Sequence, residues 1–186
     1  MLTARTLAEA QIYVSLATAA DPDVPAVEPA EPEPGVNLTA GPDAWTLASP
    51  AGEISVAYTS EDAARTVGAR FGLGVSPLID AAQWAVVAAT YSRRALEADL
   101  AYTGAPEQNR DSVELNWEFA ADAVTEALKF LPDGVDQAPP EAVWSEFGAR
   151  ALAREPQLLS RAKLIDDLEY YQGTLEDFRA LYGESS

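Results

Sequence analysis

The sequence predicts an α+β protein that is mostly α: a bundle of four or five helices with an N-terminal helix and a small antiparallel β-hairpin or sheet. Apolar residues recur at helical spacing through most of residues 76–183, the predicted helical core. Two short segments alternate apolar and smaller residues around a Pro/Gly turn at residues 49–52. The 186 residues are 48% hydrophobic, which is enough for a buried core. We therefore expect one domain spanning residues 1–186.

The N-terminal part begins with a helix and a proline-rich segment. Apolar side chains among alanines predict a helix of about twelve residues within residues 2–20, capped by Thr6 or Thr3. Residues 21–41 are acidic and contain closely spaced prolines, at positions 22, 25, 29, 32 and 34. Because proline disrupts helices and sheet interiors, this segment is predicted to be an extended linker or loop.

Residues 44–49 and 53–59 predict the two strands of the hairpin. An isolated hairpin is marginal in water, so its apolar face must contact helices or a further strand, for which residues 36–38 are a candidate. A short helix is predicted next, capped by Thr59 or Ser60 and ending at Gly72.

Four longer helical segments follow. They cover residues 76–102, starting at Ser76 and Pro77; 109–131, with Asp111 and Glu114 as a capping box; 141–153, burying Val143, Trp144, Phe147 and Leu152; and a last helix after residue 157. The last helix has a heptad spacing of apolar residues, at Leu164, Leu168, Tyr171, Leu175, Phe178 and Tyr182. This seam is predicted to pack inside the chain's own bundle in preference to an intermolecular coiled coil.

The composition excludes several chemistries. The chain has no histidine and no cysteine, so Cys/His zinc sites, Ser-His-Asp or Cys-His nucleophiles and disulfides are ruled out. No cofactor is expected. No apolar stretch approaches the roughly 20 residues of a membrane span, so we expect a cytoplasmic protein.

The charge favours a basic partner. Thirty acidic against twelve basic residues give a formal net charge of -18. Such a surface repels nucleic acid and anionic membranes and attracts basic proteins, although a GC-rich genome or salt adaptation also accounts for it.

Carboxylates and aromatic residues on two helices are the candidate partner-binding residues. The carboxylates are Glu114, Glu118, Asp122 and Glu126, predicted to form a wet acidic strip on one helix, and Asp166 and Asp167 on the last. The aromatic residues are Phe119, Tyr170 and Tyr182. Two alternatives remain open: the four-residue ladder as a carboxylate-dependent metal site or enzyme, and a structural homodimer through the heptad seam.

Three segments carry a resemblance to a protein group: SPLIDAAQW, ALKFLPDGVDQAPPEAVWSEFGARALAREP and SRAKLIDDLEYYQGTLEDF. Over about residues 76–180 the chain resembles small actinobacterial proteins of unassigned function that look like accessory or immunity proteins beside secreted toxins. The resembled proteins look as though they carry cysteine pairs of a zinc ribbon, which this chain lacks. The resemblance implies no catalytic residue. The leading expectation is a non-enzymatic acidic immunity or inhibitor protein that neutralises a basic partner such as a nucleic-acid-directed or NAD-directed toxin.

Overall fold

The computed structural model of this protein describes residues 1–19 and 35–183. The described residues form six α helices and four strands, which confirms the α+β, mostly α class. The chain divides into two compact units, Met1–Asp80 and Ala81–Ser186. The expectation of a single domain stays a prediction. Residues 21–34 of the predicted linker lie outside the described residues.

The first unit is built on a four-stranded sheet. Its strands are β1 (Leu2–Ala4), β2 (Asn37–Ala40), β3 (Ala44–Ser49) and β4 (Gly52–Ala57), in the spatial order β1-β4-β3-β2. β1 runs parallel to β4, and the other pairs are antiparallel.

The hairpin of β3 and β4 is confirmed, β2 lies at the candidate strand around residues 36–38, and β1 corrects the prediction. Ser49 pairs with Gly52, so the turn is two residues long. β1 lies where only a helix was predicted, and β2 occupies the end of the predicted linker. A strand of three or four residues forms only against its partner strand. The partner of β1 lies about fifty positions away in the chain, so the local sequence pattern does not indicate this strand.

Two helices complete the first unit. α1 spans Leu7–Thr18, and the hydroxyl of Thr6 caps it by accepting a 3.1 Å hydrogen bond from the Glu9 N–H, as predicted. α2 spans Tyr58–Thr66 and has no side-chain cap, so the predicted caps are wrong. α2 ends before Gly72, the predicted end of the helix. Gly68, two residues after the helix, has a φ of 70°, which glycine adopts without strain.

The second unit is a helical bundle. It contains α3 (Ala81–Ala101), α4 (Arg110–Leu128), α5 (Glu146–Arg154) and α6 (Arg161–Tyr182), with a single 3-10 turn at Pro140–Ala142. α4 packs against α3 and α6, and α3 also packs against α5.

Two predicted helix starts are wrong, and the helix predicted from residue 109 begins there with a different cap. Ser76 accepts hydrogen bonds from the N–H groups of Leu78 and Ile79, but this is a local turn, and α3 begins later, at Ala81. Asn109 caps α4 in place of the predicted capping box. Ser145 caps α5, five residues into the segment predicted as helix. In each case several polar residues near the helix boundary could act as the cap, and the path of the backbone determines which of them does.

The heptad seam packs within the bundle, as predicted. Four of its residues are buried: Leu164, Tyr171, Leu175 and Phe178. The Tyr171 ring lies 6.1 Å from the fully buried Trp117 of α4. The Trp117 indole N–H donates to Asp99 of α3 at 3.3 Å. Burial of such large rings, with the indole N–H satisfied, fixes the three helices together.

In the described parts of the chain, no helix has both the length and the apolar composition needed to cross a membrane.

Candidate interaction surface on the C-terminal helix

The first two acids of the predicted strip on α4 are neutralised within the bundle. Arg179 of α6 donates from Nε to Glu114 and from Nη2 to Glu118, both at 2.7 Å. Arg110 also reaches Glu114, at 2.7 Å. Burial raises the pKa of Glu114, but the hydrogen bond from Arg179 and the charge of Arg110 outweigh it and hold that pKa below its ordinary value. These carboxylates tie α4 to α6.

The remaining two acids of the ladder do not continue a wet strip. Glu126 is only 3% exposed and forms an ion pair with Lys129, so the prediction that it faces solvent is wrong. α4 packs against both α3 and α6, and Glu126 lies in its last turn, where its side chain is buried. Asp122 is half-buried and already engaged in an interaction. Among the residues that the structure describes, no group of three or more acidic residues could hold a metal ion.

Two of the predicted aromatic contacts are used inside the bundle. Phe119 is half-buried with its ring 4.8 Å from that of Tyr91. Tyr182 packs edge-on against Tyr102 at 4.8 Å, and its hydroxyl donates to the Tyr102 carbonyl at 3.3 Å. Both side chains therefore hold helices together.

Asp167 is also paired. Lys163, one turn earlier on α6, donates to it at 2.6 Å. Burial lowers the pKa of Lys163, but the hydrogen bond to Asp167 outweighs this effect and the pKa is raised. Asp166 is the neighbour that remains exposed.

The outward side of α6 carries four carboxylates that, unlike those of the strip on α4, are exposed and form no ion pair within the described residues. They are Asp166, Glu169, Glu176 and Asp177, all exposed. Residues three, four or seven apart share one side of a helix, and this side lies opposite the heptad seam. In residues 1–19 and 35–183 no cation forms an ion pair with any of the four. Together with Tyr170 and Gly173 they make up what we call the α6 face.

Tyr170 lies along one edge of the α6 face, between Asp166 and Asp177 along the helix. Its side chain is 53% exposed. The inner part of the ring packs edge-on against Trp117 at 6.0 Å and against Tyr171 at 5.8 Å. A large aromatic ring that packs against the protein on one side and is exposed on the other loses little conformational freedom when a partner covers it.

Gly173 lies beside Tyr170 on the same face and is a residue that the sequence analysis missed. A Cβ added there would meet nothing within 4 Å, so the fold does not require glycine. Glycine inside a helix costs about 1 kcal/mol relative to alanine. Its presence leaves a shallow gap among the charges, into which a partner can approach the helix closely. A helical wheel of α6 places Gly173, Glu176 and Asp177 on the side opposite the heptad seam, so these residues could have been identified from the sequence.

Trp144 corrects another prediction. It was expected to be buried, but it is 51% exposed, and its ring lies 5.9 Å from that of Phe130. It precedes α5 and sits outside a regular helix, so helical periodicity had no bearing on its burial.

Comparisons with protein-family models, with curated proteins and with solved structures gave no match.

Proposed function

We propose that this chain is a non-enzymatic acidic binding protein whose α6 face binds a basic protein partner and neutralises it, as an immunity or inhibitor protein does. The observation that carries the proposal is the half-exposed Tyr170 among four exposed carboxylates that have no cationic partner within the described chain. A toxin is the partner class we propose, in line with the resemblance of residues 76–180. We place this activity in the cytoplasm.

Electrostatics supports a cationic ligand at the α6 face. Like charges three or four residues apart on a helix repel each other by a few tenths of a kcal/mol per pair. On α4 such acids are paired with arginines, whereas on α6 Asp166 and Glu169, three residues apart, have no ion pair within the described residues. Lysine and arginine side chains of a partner would relieve their repulsion, and the negative field would increase the rate of association at low salt.

Tyr170 and Gly173 support a protein ligand over a free cation. Tyrosine is among the residues that contribute most binding energy at protein interfaces, particularly when it is surrounded by polar residues that exclude water. Tyr170 is already held by Trp117 and Tyr171. The gap at Gly173 allows a partner's side chain to lie against the helix backbone.

The two alternatives find less support in the geometry. The α4 carboxylates that a metal site would use are paired with Arg110, Arg179 and Lys129. The seam that a homodimer would use is buried against α4. A homodimer remains a prediction that the molecular mass in solution would test.

The test compares two triple variants with the same net charge. The first reverses the α6 face, with Asp166→Lys, Glu169→Lys and Asp177→Lys. The control reverses three exposed acids outside α6, with Glu107→Lys, Asp133→Lys and Glu141→Lys. Each variant has a net charge of -12, since three changes of two units each are added to -18.

Each immobilised protein is incubated with an extract of the source cells at low and high salt, and the retained proteins are identified and then titrated as purified proteins. We expect a basic protein that the wild type and the control retain at low salt. The α6 variant should bind it at least about tenfold more weakly, which corresponds to about 1.4 kcal/mol. Equal weakening by both variants would contradict the proposal, because general acidity would then suffice.

A further inference from the structure

The strand β2 is an open edge of the sheet. The spatial order β1-β4-β3-β2 leaves β2 paired on one side only, with β3. All four residues of β2 are exposed. In the described parts of the chain no other segment pairs with its free side.

The register determines which backbone groups face outward. Gly41 donates its N–H to the Ala44 carbonyl at 2.8 Å, which closes the turn between β2 and β3. In an antiparallel pair, hydrogen-bonded and non-hydrogen-bonded positions alternate. Counting back from Gly41, the backbone groups of Asn37 and Thr39 therefore point toward β3. The N–H and C=O groups of Leu38 and Ala40 point toward the open side.

β2 is a short edge strand that lacks lysine, proline and a bulge. Natural proteins shield edge strands with lysine, proline or a bulge, because a free edge pairs with other chains. β2 contains no charged residue and no proline. Leu38 pairs with the buried Leu47 and so lies on the core side of the sheet, yet it is 52% exposed. An added strand would satisfy the free backbone groups and cover Leu38.

The negative charge of the chain favours a basic segment as the occupant of the β2 edge. Within residues 35–57, which include β2, β3 and β4, the charged residues are Asp43 and Glu53, and both are exposed acids. The whole chain has a formal net charge of -18. A second copy of the chain would bring the same negative charge to the edge, whereas a basic segment would complement it.

We propose that the open side of β2 binds an extended segment of the basic partner as a fifth, antiparallel strand. Its apolar residues pair opposite Leu38 and Ala40, and its lysines or arginines lie on the other face, which carries Asn37, Thr39 and the exposed Glu53. This mode of recognition draws affinity from main-chain hydrogen bonds and specificity from alternate side chains. The inference rests on the proposed function, because that function supplies the basic partner.

The probe is an acetylated and amidated seven-residue peptide of alternating lysine and valine. Amide hydrogen exchange of the full chain is measured by NMR with and without it. In the free chain we expect the Leu38 and Ala40 amides to exchange fast and the Thr39 amide to be slow. The peptide should slow the first two at least about tenfold. The same peptide with N-methylated valines should not, since valines opposite Leu38 supply the hydrogen bonds that methylation removes.

Two variants separate backbone from side-chain effects. Leu38→Pro removes an outward N–H without breaking a bond to β3, and proline is tolerated on edge strands. It should weaken peptide binding about tenfold, which corresponds to about 1.4 kcal/mol. The control Leu38→Ala keeps the N–H and should weaken binding less. Ala40→Pro repeats the test at the second outward position. Slow exchange at Thr39 reports that the sheet is intact in each variant.

Four outcomes would overturn the inference. The first is no change at Leu38 and Ala40 with the peptide. The second is protection of these amides without peptide, together with a doubled molecular mass, which would make a second copy the occupant. The third is protection without peptide that disappears when residues 20–34 are deleted. If Leu38→Pro retains the cellular partner while the reversed α6 face loses it, the edge inference alone fails. If no basic partner is retained by the wild type, the proposed function fails.

Discussion

α4 and α6 each carry a row of carboxylates, and the structure treats the two rows differently. On α4, Glu114 and Glu118 receive hydrogen bonds from Arg179, and Glu126 is buried beside Lys129. On α6, Asp166 and its three companions remain exposed and, within the described residues, without an ion pair. A row of acids along a helix thus stabilises the fold on α4 and remains exposed on α6.

The difference arises from where the cations lie. Arg179 is on α6 but on the flank that meets α4, so its guanidinium bridges to a residue 65 positions earlier in the chain. No periodicity within α4 contains that information. A row of acids in a sequence is therefore a candidate binding surface only after the neighbouring helix has been placed.

The largest expected effect comes from reversing the α4 row. Glu114→Lys with Glu118→Lys would place two new cations against Arg110 and Arg179, and we expect a loss of about 3 kcal/mol in the free energy of unfolding. Asp166→Lys with Glu169→Lys is the matched control on α6 and should change it by no more than about 0.5 kcal/mol. Urea denaturation followed by circular dichroism measures both. Similar losses for the two pairs would remove the distinction between the rows.

A smaller effect of opposite sign is expected at Gly173. Gly173→Ala should increase the free energy of unfolding by about 1 kcal/mol, because alanine has the higher helix propensity and its Cβ would meet open space. Gly173→Gln should leave the fold intact but weaken partner binding, since a long side chain fills the gap beside Tyr170. Denaturation and the partner titration provide the two readouts. Unchanged binding by Gly173→Gln would show that the partner does not approach the helix there.

An effect of similar size is expected at Arg179, and it depends on pH. Arg179→Gln should cost about 1 kcal/mol at neutral pH, since the side chain is partly exposed and makes two ion pairs. The folded-state pKa of Glu114 is below its ordinary value of 4.5. Its ionised form therefore stabilises the fold above that value, and this stability is lost as the pH falls through the folded-state pKa. The difference between wild type and variant should shrink below about pH 4.5 and stay constant between pH 6 and 8, which denaturation at several pH values measures.

The predictions from the sequence were most accurate where the structure of an element depends only on residues close together in the chain. The strand at residues 44–49, the Thr6 cap and the heptad seam of α6 each depend on residues a few positions apart, and all three are confirmed. β1 was missed as a strand, and β2 was predicted only as a candidate around residues 36–38, because each is short and forms only against a partner strand. Trp144 was misplaced because the chain around it is not helical.

The candidate site was predicted in part, for the same reason. Asp166 and Tyr170 were named and lie on the α6 face. Glu114, Glu118 and Asp167 were named as well, but each is held by a cation of the chain itself.

The sequence by itself determined the mostly α class, the acidic character of the chain and the absence of any histidine or cysteine chemistry, because these follow from composition and from the spacing of residues close together in the chain. Only the tertiary structure decided which carboxylates are neutralised, which aromatic ring is exposed and which strand has an open side. Burial and ion pairing depend on residues from distant parts of the sequence, and these meet only when the helices and strands pack.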